Sequence, residues 1–379
     1  VKRFDPKEFP LSEDVLYLNH AAVAPWPRRT SNAVIAFAEE NCRLGARDYP
    51  NWLAKETELR KQLQQLLNTA SIDDIALVKN TSEGLSFVAA GLQWSPGDNI
   101  VSSNEEFPSN RIPWEALGEQ GVEFRQADLY SSSSPEDSLF ELVDEHTRLI
   151  TISSIQFATG TRLDLQRIGQ FCKDRGILYC IDAIQSLGAI SFDARAYHAD
   201  FVMADGHKWM LGPEGLGVFY TSKKARDLLK VSQYGWHMIE EINNYDNCPW
   251  VTAHTSRKFE CGSSNMLGIH ALSASLSLLL ETGLQSVEEK VLDNTRYLTE
   301  LINQRPALRL LSSAASDLSS GIVLFRHKSE ETGKLFSHLK FHGVVCAQRG
   351  GGIRFSPHFY TPRTVLDNAM SFVDSYSAG

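Results

Sequence analysis

The chain has 379 residues, 42% of them hydrophobic, and a formal net charge of −9, which is enough apolar content for a large core and for more than one domain. The absence of a basic block, or of basic residues interleaved with aromatics, excludes a nucleic acid and an anionic membrane surface as expected partners. Six scattered cysteines (Cys42, Cys172, Cys180, Cys248, Cys261 and Cys346) make no CxxC pair and no zinc-like Cys/His cluster, which predicts reduced thiols, no metal and a cytoplasmic setting.

The opening stretch VKRFDPKEFPLSED is polar and lacks the apolar region of a signal peptide, and no apolar run reaches the length of a membrane span. From there, strand-like and helix-like segments alternate. IALVK (75–79) precedes SEGLSFVAAGL (82–92), and NIVSS (99–103) precedes SNRIPWEALGEQG (109–121). The serine-rich YSSSSPEDS (130–138) reads as a surface loop. RLITISSI (148–155) precedes DLQRIGQFCKDRG (164–176), ILYCID (177–182) precedes a short AIQSLGA, and DFVMA (200–204) and GVFYT (217–221) follow. Short apolar runs without clean alternation are strands buried on both faces, and the β-then-α rhythm predicts an α/β fold with a mostly parallel or mixed sheet covered by helices. A long helix ends FECGSSNMLGIHALSASLSLLLETG (259–283), after which the character changes. The helix VEEKVLDNTRYLTELINQ (287–304) and the strands GIVLFRH (321–327) and GIRFS (352–356) predict a smaller α+β domain. The expected boundaries are a large domain over residues 16–284 and a small one over 285–379, with residues 1–15 packed on the latter.

Ligands of an open α/β sheet bind beyond the carboxyl ends of its strands. The polar residues expected there are Asn80-Thr81-Ser82, Asn104-Glu105-Glu106-Phe107, Ser154-Ile155-Gln156, Asp182 and Asp205-Gly206-His207-Lys208. Asn80 and Glu83 have the spacing of a capping box. The helix that begins there offers free N–H groups, the Thr81 and Ser82 hydroxyls and Gly84 to a phosphate, or is simply an ordinary capped helix. Asp182, delivered by a buried strand, calls for a cationic partner such as a protonated pyridine nitrogen, or acts as a helix cap. Gln185 stands close enough in sequence to reach a ring oxygen beside it. Lys208, flanked by Gly206, Gly212, Gly215 and Gly217, is either a surface lysine or an amine whose pKa is lowered by desolvation so that it attacks an aldehyde.

IDAIQS, ADGHKWMLGPEGLGVFY, KNTSEG and FECGSS resemble the motifs of the class V aminotransferases, fold-type I pyridoxal-phosphate (PLP) enzymes, with similarity running from about Leu16 to near the C-terminus. The resemblance implies a fold-type I PLP-dependent transferase: a large domain with a mixed, mostly parallel seven-stranded sheet and a smaller C-terminal α+β domain. It implies that Lys208 forms the internal aldimine with PLP and acts as general base. Asp182 would keep the ring nitrogen protonated, Gln185 would contact the ring hydroxyl, and Thr81, Ser82 and His207, with Asp205 beside them, would serve the phosphate end. Ser263 aligns with a residue that reaches the phosphate of the partner subunit, which implies a homodimer with shared sites. Arg354 matches the arginine that takes the carboxylate of an amino-acid substrate, with Ile353 and Phe355 on the opposite face of its strand. His20, Asn19, Arg162, Trp236 and His237 are further pocket candidates.

Three departures stand out. A ring-stacking histidine of many relatives is replaced by Phe107. An asparagine before a Gly-Thr pair is replaced by Phe157, leaving Gln156 to serve. The nucleophilic cysteine that desulfurases carry on a mobile loop has only Cys346 as a counterpart, and that residue reads as a buried structural thiol. These departures resemble the isopenicillin N epimerase-like and cystine-lyase-like branch. The expected activity is an aminotransferase or β-lyase acting through a carbanion stabilised on the cofactor. A desulfurase using Cys346, an epimerase and a catalytically idle PLP-fold binding protein remain as alternatives.

Overall fold

The computed structural model describes residues 5–377 except Asn243, Asn247, Cys248 and Ala314. Cys248 thus lies outside the described residues, and the other five cysteines are free thiols. Seven strands form the central sheet: β1 (Ile75–Val78), β2 (Asn99–Ser103), β3 (Glu123–Ala127), β4 (Thr147–Ser153), β5 (Leu178–Asp182), β6 (Phe201–Asp205) and β7 (Gly217–Thr221). Their spatial order is β1-β7-β6-β5-β4-β2-β3. Only β7 runs antiparallel to its neighbours, β1 and β6; the other pairs are parallel. The predicted mixed, mostly parallel seven-stranded sheet is therefore present. β3 has no counterpart among the expected strands, because as an edge strand it is largely exposed and carries the polar sequence EFRQA.

Period-two alternation divides the strand residues between two apolar layers. Ile75, Ile181, Val202 and Val218 face one cluster. Ala76, Cys180, Phe201, Met203 and Phe219 face the other. On the first face, α1 (Arg28–Leu44) and α2 (Tyr49–Leu67) pack on α5 (Met266–Thr282). On the second lies α3 (Thr81–Gly91), through Leu85 and Val88. α4 (Leu165–Arg175) returns to the first through Ile168. α1 was absent from the expected elements because its apolar stripe is thin: Thr30 is its sole buried residue.

The C-terminal unit comprises α6 (Leu284–Asn303), β8 (Leu308–Leu310), β9 (Val323–His327), α7 (Thr332–Phe341), β10 (Ala347–Arg349), β11 (Gly352–Phe355) and α8 (Arg363–Ser377). Its antiparallel sheet has the order β10-β11-β9-β8. Leu298, Phe325, Leu339, Ile353, Phe355 and Met370 share its core with Leu18. Leu16–Tyr17 pairs with Val344–Val345 in a parallel two-residue ladder, so the chain enters through the smaller unit before it builds the larger one. Further toward the N-terminus, Phe9 stacks on Tyr360 at 3.4 Å, and Glu8 meets Arg29 of α1 at 2.8 Å. Among the described residues no single helix is long and apolar enough to cross a membrane.

Two buried histidines tie these units together. His20 Nδ1 donates to the Ser356 carbonyl at 2.8 Å, which leaves Nε2 to accept from the Tyr360 hydroxyl at 2.6 Å. His358 Nε2 donates to the Trp209 carbonyl at 3.0 Å, and its Nδ1 accepts from the Phe359 N–H at 2.8 Å. Both rings are neutral in these bonds. Burial pushes the His20 pKa well below the ordinary value and that of His358 down to about 4. On unfolding both regain an affinity near ~6.5, so the unfolded chain binds more protons below that pH and stability is lost as pH falls through this window. Buried Asp182 and Glu106, whose pKa values are raised by desolvation, titrate with the opposite sign, so the comparison is made against a variant. Wild type is expected to lose urea resistance relative to His358→Gln as pH falls from about 7 to about 5. A difference that stays constant over that range contradicts the assignment.

Candidate active site

The carboxyl ends of β1, β2, β4, β5 and β6 open on a cavity of about 420 Å³. Its floor is Asp182, the last residue of β5 and 2% exposed. One carboxylate oxygen accepts from the Ile184 N–H at 3.0 Å, and no cation lies within salt-bridge distance among the described residues. Desolvation pushes the Asp182 pKa up, partly opposed by the Ile184 hydrogen bond, while a second buried carboxylate, Glu106, adds to the rise. Glu106 is held by four neutral donors: the Ser153 N–H and Oγ, Asn110 Nδ2 and Gln156 Nε2. Ser153 is the direct cross-strand partner of Asp182. The floor is thus an anionic, water-poor surface that calls for a cation.

One side of the cavity is the N-terminus of α3. Asn80 caps it by accepting from the Glu83 N–H at 3.0 Å, and Glu83 reaches back to the Lys79 N–H at 2.7 Å, one residue outside the expected capping box. Thr81 Oγ1 accepts from the Asp205 N–H at 3.0 Å and so locks the end of β6 to the helix. Gly84 corrects an expectation: it is buried one turn in, where a Cβ would stand 3.0 Å from Met203 Cβ, so it serves helix–sheet packing and not the phosphate end. His207 Nδ1 and Asp205 Oδ1 are 3.1 Å apart, yet both are buried without an aligned hydrogen-bond partner.

The opposite wall carries Lys208. Desolvation pulls its pKa below the ordinary lysine value against the attraction of Asp182, and the nearby charge of Arg354 adds to the fall. Its Nζ lies 5.8 Å from the centroid of the Phe107 ring, which is 42% exposed into the opening and meets Phe157 edge to face at 5.3 Å. Arg354 of β11, 2% exposed, donates through Nη1 to the Phe157 carbonyl at 2.5 Å. Its Nε has no partner, and no carboxylate pairs with it among the described residues. Gln185 lines the cavity with both ends of its amide engaged: Nε2 donates to the Ala21 carbonyl at 3.1 Å, and Oε1 accepts from Trp209 Nε1 at 2.9 Å. It braces the residue that follows Lys208.

Thr81, Ser82, Phe107, Asp182, Gln185, Asp205, His207, Lys208 and Arg354 therefore meet around one cavity. Other candidates, Asn19 and His237 among them, do not. His20 is fully buried behind the wall formed by Ala21, Ala22 and Val23. Gln156 is likewise buried and spends its amide on Glu106. Trp236 lines a separate surface groove with Tyr234, Tyr245 and Trp250. Ser263 lies in a neighbouring cavity with Lys79 and Glu83. Arg162 pairs with Glu288 at 3.2 Å, away from the site. Arg349, which lines the cavity beside Arg354, was missed; its signal is the RGGGIR spacing, two arginines astride a turn of glycines.

The groups present suit the PLP expected from the resemblance. Asp182 is an uncompensated carboxylate for a protonated ring nitrogen. The helix N-terminus with the Ser82 hydroxyl and unpartnered His207 Nδ1 offers donors to a phosphate. Lys208 is an amine for the aldehyde. The comparisons agree. The family Aminotransferase class-V matches residues 16–358. A probable cysteine desulfurase of Methanothermobacter thermautotrophicus is 31% identical over 93% of this chain and 92% of its own, and a cysteine desulfurase of Salmonella agona is 27% identical over 87% and 82%. Among solved structures, a C-DES variant with glycine covalently linked to its PLP cofactor superposes with a TM-score of 0.91 at 21% identity, covering 98% of this chain and 99% of that one. The apo cysteine desulfurase of Thermococcus onnurineus gives 0.88 at 22%, covering 99% and 98%.

The lowered pKa of Lys208 has a direct readout. When the apoprotein is loaded with PLP at a series of pH values and trapped with borohydride, the label is expected on the peptide containing Lys208. The loading rate should rise with an inflection below the ~10.4 of an ordinary lysine. Label on another peptide, or an inflection at the ordinary value, contradicts the reading.

Proposed function

The chain belongs to the class V aminotransferase family, and from that premise we propose that this PLP-dependent enzyme is a lyase that cleaves the Cβ–S bond of a sulfur-containing amino acid and releases the sulfur to solvent. The observation that carries the reading is the geometry of residues 346–354. β10 and β11 are joined by just Gly350 and Gly351, with φ values of +50° and +74°, a two-residue turn of the kind that closes tight hairpins. No mobile loop stands before Arg354 to carry a thiol across the cavity. Cys346 sits in the core of the smaller unit, where burial pushes its pKa up to about 12 against the pull of Arg354. A thiol so held is a poor nucleophile. Among the described residues no cysteine lines the cavity.

When bound, the cofactor supplies an aldehyde for the substrate amine and a ring that accepts the electron pair of the Cα–H bond. The chain's own residues do the rest. Arg354, with its free Nε edge, takes the α-carboxylate and so orients the Cα–H bond. Lys208 Nζ, whose ammonium form desolvation disfavours, removes the α-proton in its neutral form. Asp182, ionised, would hold the proton on the ring nitrogen. Phe107 covers the site without offering a titratable group. The sulfur substituent leaves with the electron pair of the Cβ–S bond. With water added, one thioether or disulfide amino acid yields one thiol or persulfide, pyruvate and ammonium. Ser263, which stands outside its own chain's cavity, supports the expectation that it serves the site of a second copy.

The similarity to a probable cysteine desulfurase at 31% identity and to a cysteine desulfurase at 27% favours a second reading, in which Cys346 accepts the sulfur. One experiment separates the two. Holoenzyme and its Cys346→Ala variant are given L-cysteine and L-cystine, and pyruvate, released sulfur and protein persulfide are measured. The lyase predicts pyruvate in step with sulfur, no protein persulfide, and Cys346→Ala activity within about twofold of wild type. Loss of sulfur release by Cys346→Ala with PLP still bound establishes the desulfurase instead. A keto acid retaining the sulfur, or an inverted amino acid, points to transamination or epimerisation.

A further inference from the structure

The loop that follows β4 is held by the smaller unit along its backbone. Three of its carbonyls accept from side chains of that unit: Phe157 from Arg354 Nη1 at 2.5 Å, Thr159 from Ser312 Oγ at 2.6 Å and Gly160 from Ser320 Oγ at 2.6 Å. Gly160 has φ +76°, and a Cβ there would stand 2.7 Å from the Ile322 carbonyl, so only glycine permits this approach. The hairpin tip rests on the same loop: a Cβ at Gly350 would lie 3.3 Å from the Cβ of Ala158. Arg354 is therefore seated on residues 157–160, and its guanidinium follows wherever they are placed.

A buried carboxylate fixes the other side of this loop. Gln156 Nε2 donates to Glu106 Oε1 at 3.2 Å, beside the Ser153 N–H at 2.8 Å on the same oxygen. Asn110 Nδ2 and Ser153 Oγ donate to Oε2 at 2.9 and 2.5 Å. Both Glu106 and Gln156 are buried, and neither lines the cavity. Gln156 Oε1 has no partner. Burying an amide oxygen without a hydrogen bond costs stability, yet turning the amide over would set that oxygen against the carboxylate, so Glu106 dictates which way the amide faces. A second rung, from Thr159 Oγ1 to Glu105 Oε2 at 3.0 Å, joins the same two loops. The residues next to the clamp do reach the site. Phe107 follows Glu106, Phe157 follows Gln156, and both rings line the cavity in edge-to-face contact at 5.3 Å.

We propose that Glu106 and Gln156 are positioning residues of this active site: their hydrogen bond ties the loop that seats Arg354 to the loop that carries Phe107, and so fixes the substrate's anchor relative to the cofactor. A charge-assisted bond in a buried setting suits that task, being both strong and directional. The inference rests on Arg354 taking the α-carboxylate and not on the fate of the sulfur.

The test uses holoenzyme and measures affinities for L-alanine and methylamine through the cofactor absorbance. Methylamine reads the cofactor aldehyde alone, and L-alanine adds a carboxylate. The ratio of the two affinities reports the Arg354 seat, and Arg354→Met calibrates its loss. Gln156→Met, similar in length but without the donor, is expected to lower the ratio by about threefold or more, the scale of one hydrogen bond. It should also change the visible circular dichroism of the bound cofactor, which reports how the ring is seated beside Phe107. Gln156→Asn, an amide one carbon shorter, should fall between. In Glu106→Gln the remaining oxygen can still face the Ser153 N–H and Gln156, so most of the ratio should be retained while urea resistance falls with the loss of the Asn110 bond. A Gln156→Met protein that loses urea resistance but keeps the wild-type ratio and dichroism has lost only a structural contact, which overturns the inference. So does a Glu106→Gln protein that loses the ratio as fully as Gln156→Met, since the charge and not the clamp then matters. If Arg354→Met itself leaves the ratio intact, the carboxylate assignment fails and the inference with it.

Discussion

The site depends on the confinement of Asp182 and Lys208 in a pocket that water hardly enters. The same desolvation draws the pKa of each group away from its ordinary value, and each is partly rescued by the other. That balance requires strands buried on both faces, ending together, with a helix N-terminus beside them. The parallel run β6-β5-β4 provides it, because parallel strands bring their carboxyl ends to one edge. The antiparallel β7 then returns the chain so that Leu216 and Gly217 close against β6, and the Gly206 N–H donates to the Leu216 carbonyl at 2.9 Å. The loop bearing Lys208 is thereby pinned at both ends.

A rigid frame of uncharged contacts surrounds this charged pair. Trp209 is gripped on its ring by Gln185 and on its carbonyl by His358. His20 links the same region to Ser356, two residues beyond Arg354. The lysine that would hold the cofactor and the arginine that would hold the substrate are therefore referenced to one another through buried aromatic and imidazole rings, although they come from different structural units. Errors of an ångström at such sites cost orders of magnitude in rate, which explains why so much of the interior is spent on neutral hydrogen bonds that never touch a ligand.

Much of this was legible in the chain itself. Asp182 could be read because it ends a short apolar run and Lys208 because it follows one by three residues, and because position at the end of a buried strand carries chemical meaning regardless of what lies opposite. The alternation of Ile353, Arg354 and Phe355 likewise predicts the observed division between core and cavity. Other placements depend on contacts remote in sequence. His20 was assigned to the pocket, but its ring bonds to Ser356 and Tyr360, more than 330 positions away, and local pattern holds no trace of that. Gln156 is captured by Glu106, whose burial follows from the path of the loop after β2 and not from its own neighbours. Trp236 sits in a segment with little regular structure, where periodicity is silent. Arg349 was passed over because a single arginine beside glycines looks like an ordinary turn until the ladder register is known.

The two-residue turn at Gly350-Gly351 also bears on how such a scaffold changes its chemistry. Lengthening a surface connection costs little conformational entropy, about 0.6 kcal/mol per doubling, and the core beneath it need not repack. A chain with this frame can therefore acquire or discard a sulfur-carrying segment by insertion or deletion at one point, while its cofactor floor stays untouched. The tip of this hairpin is accordingly the place where a grafted loop would bring a sulfur-accepting thiol to the cavity.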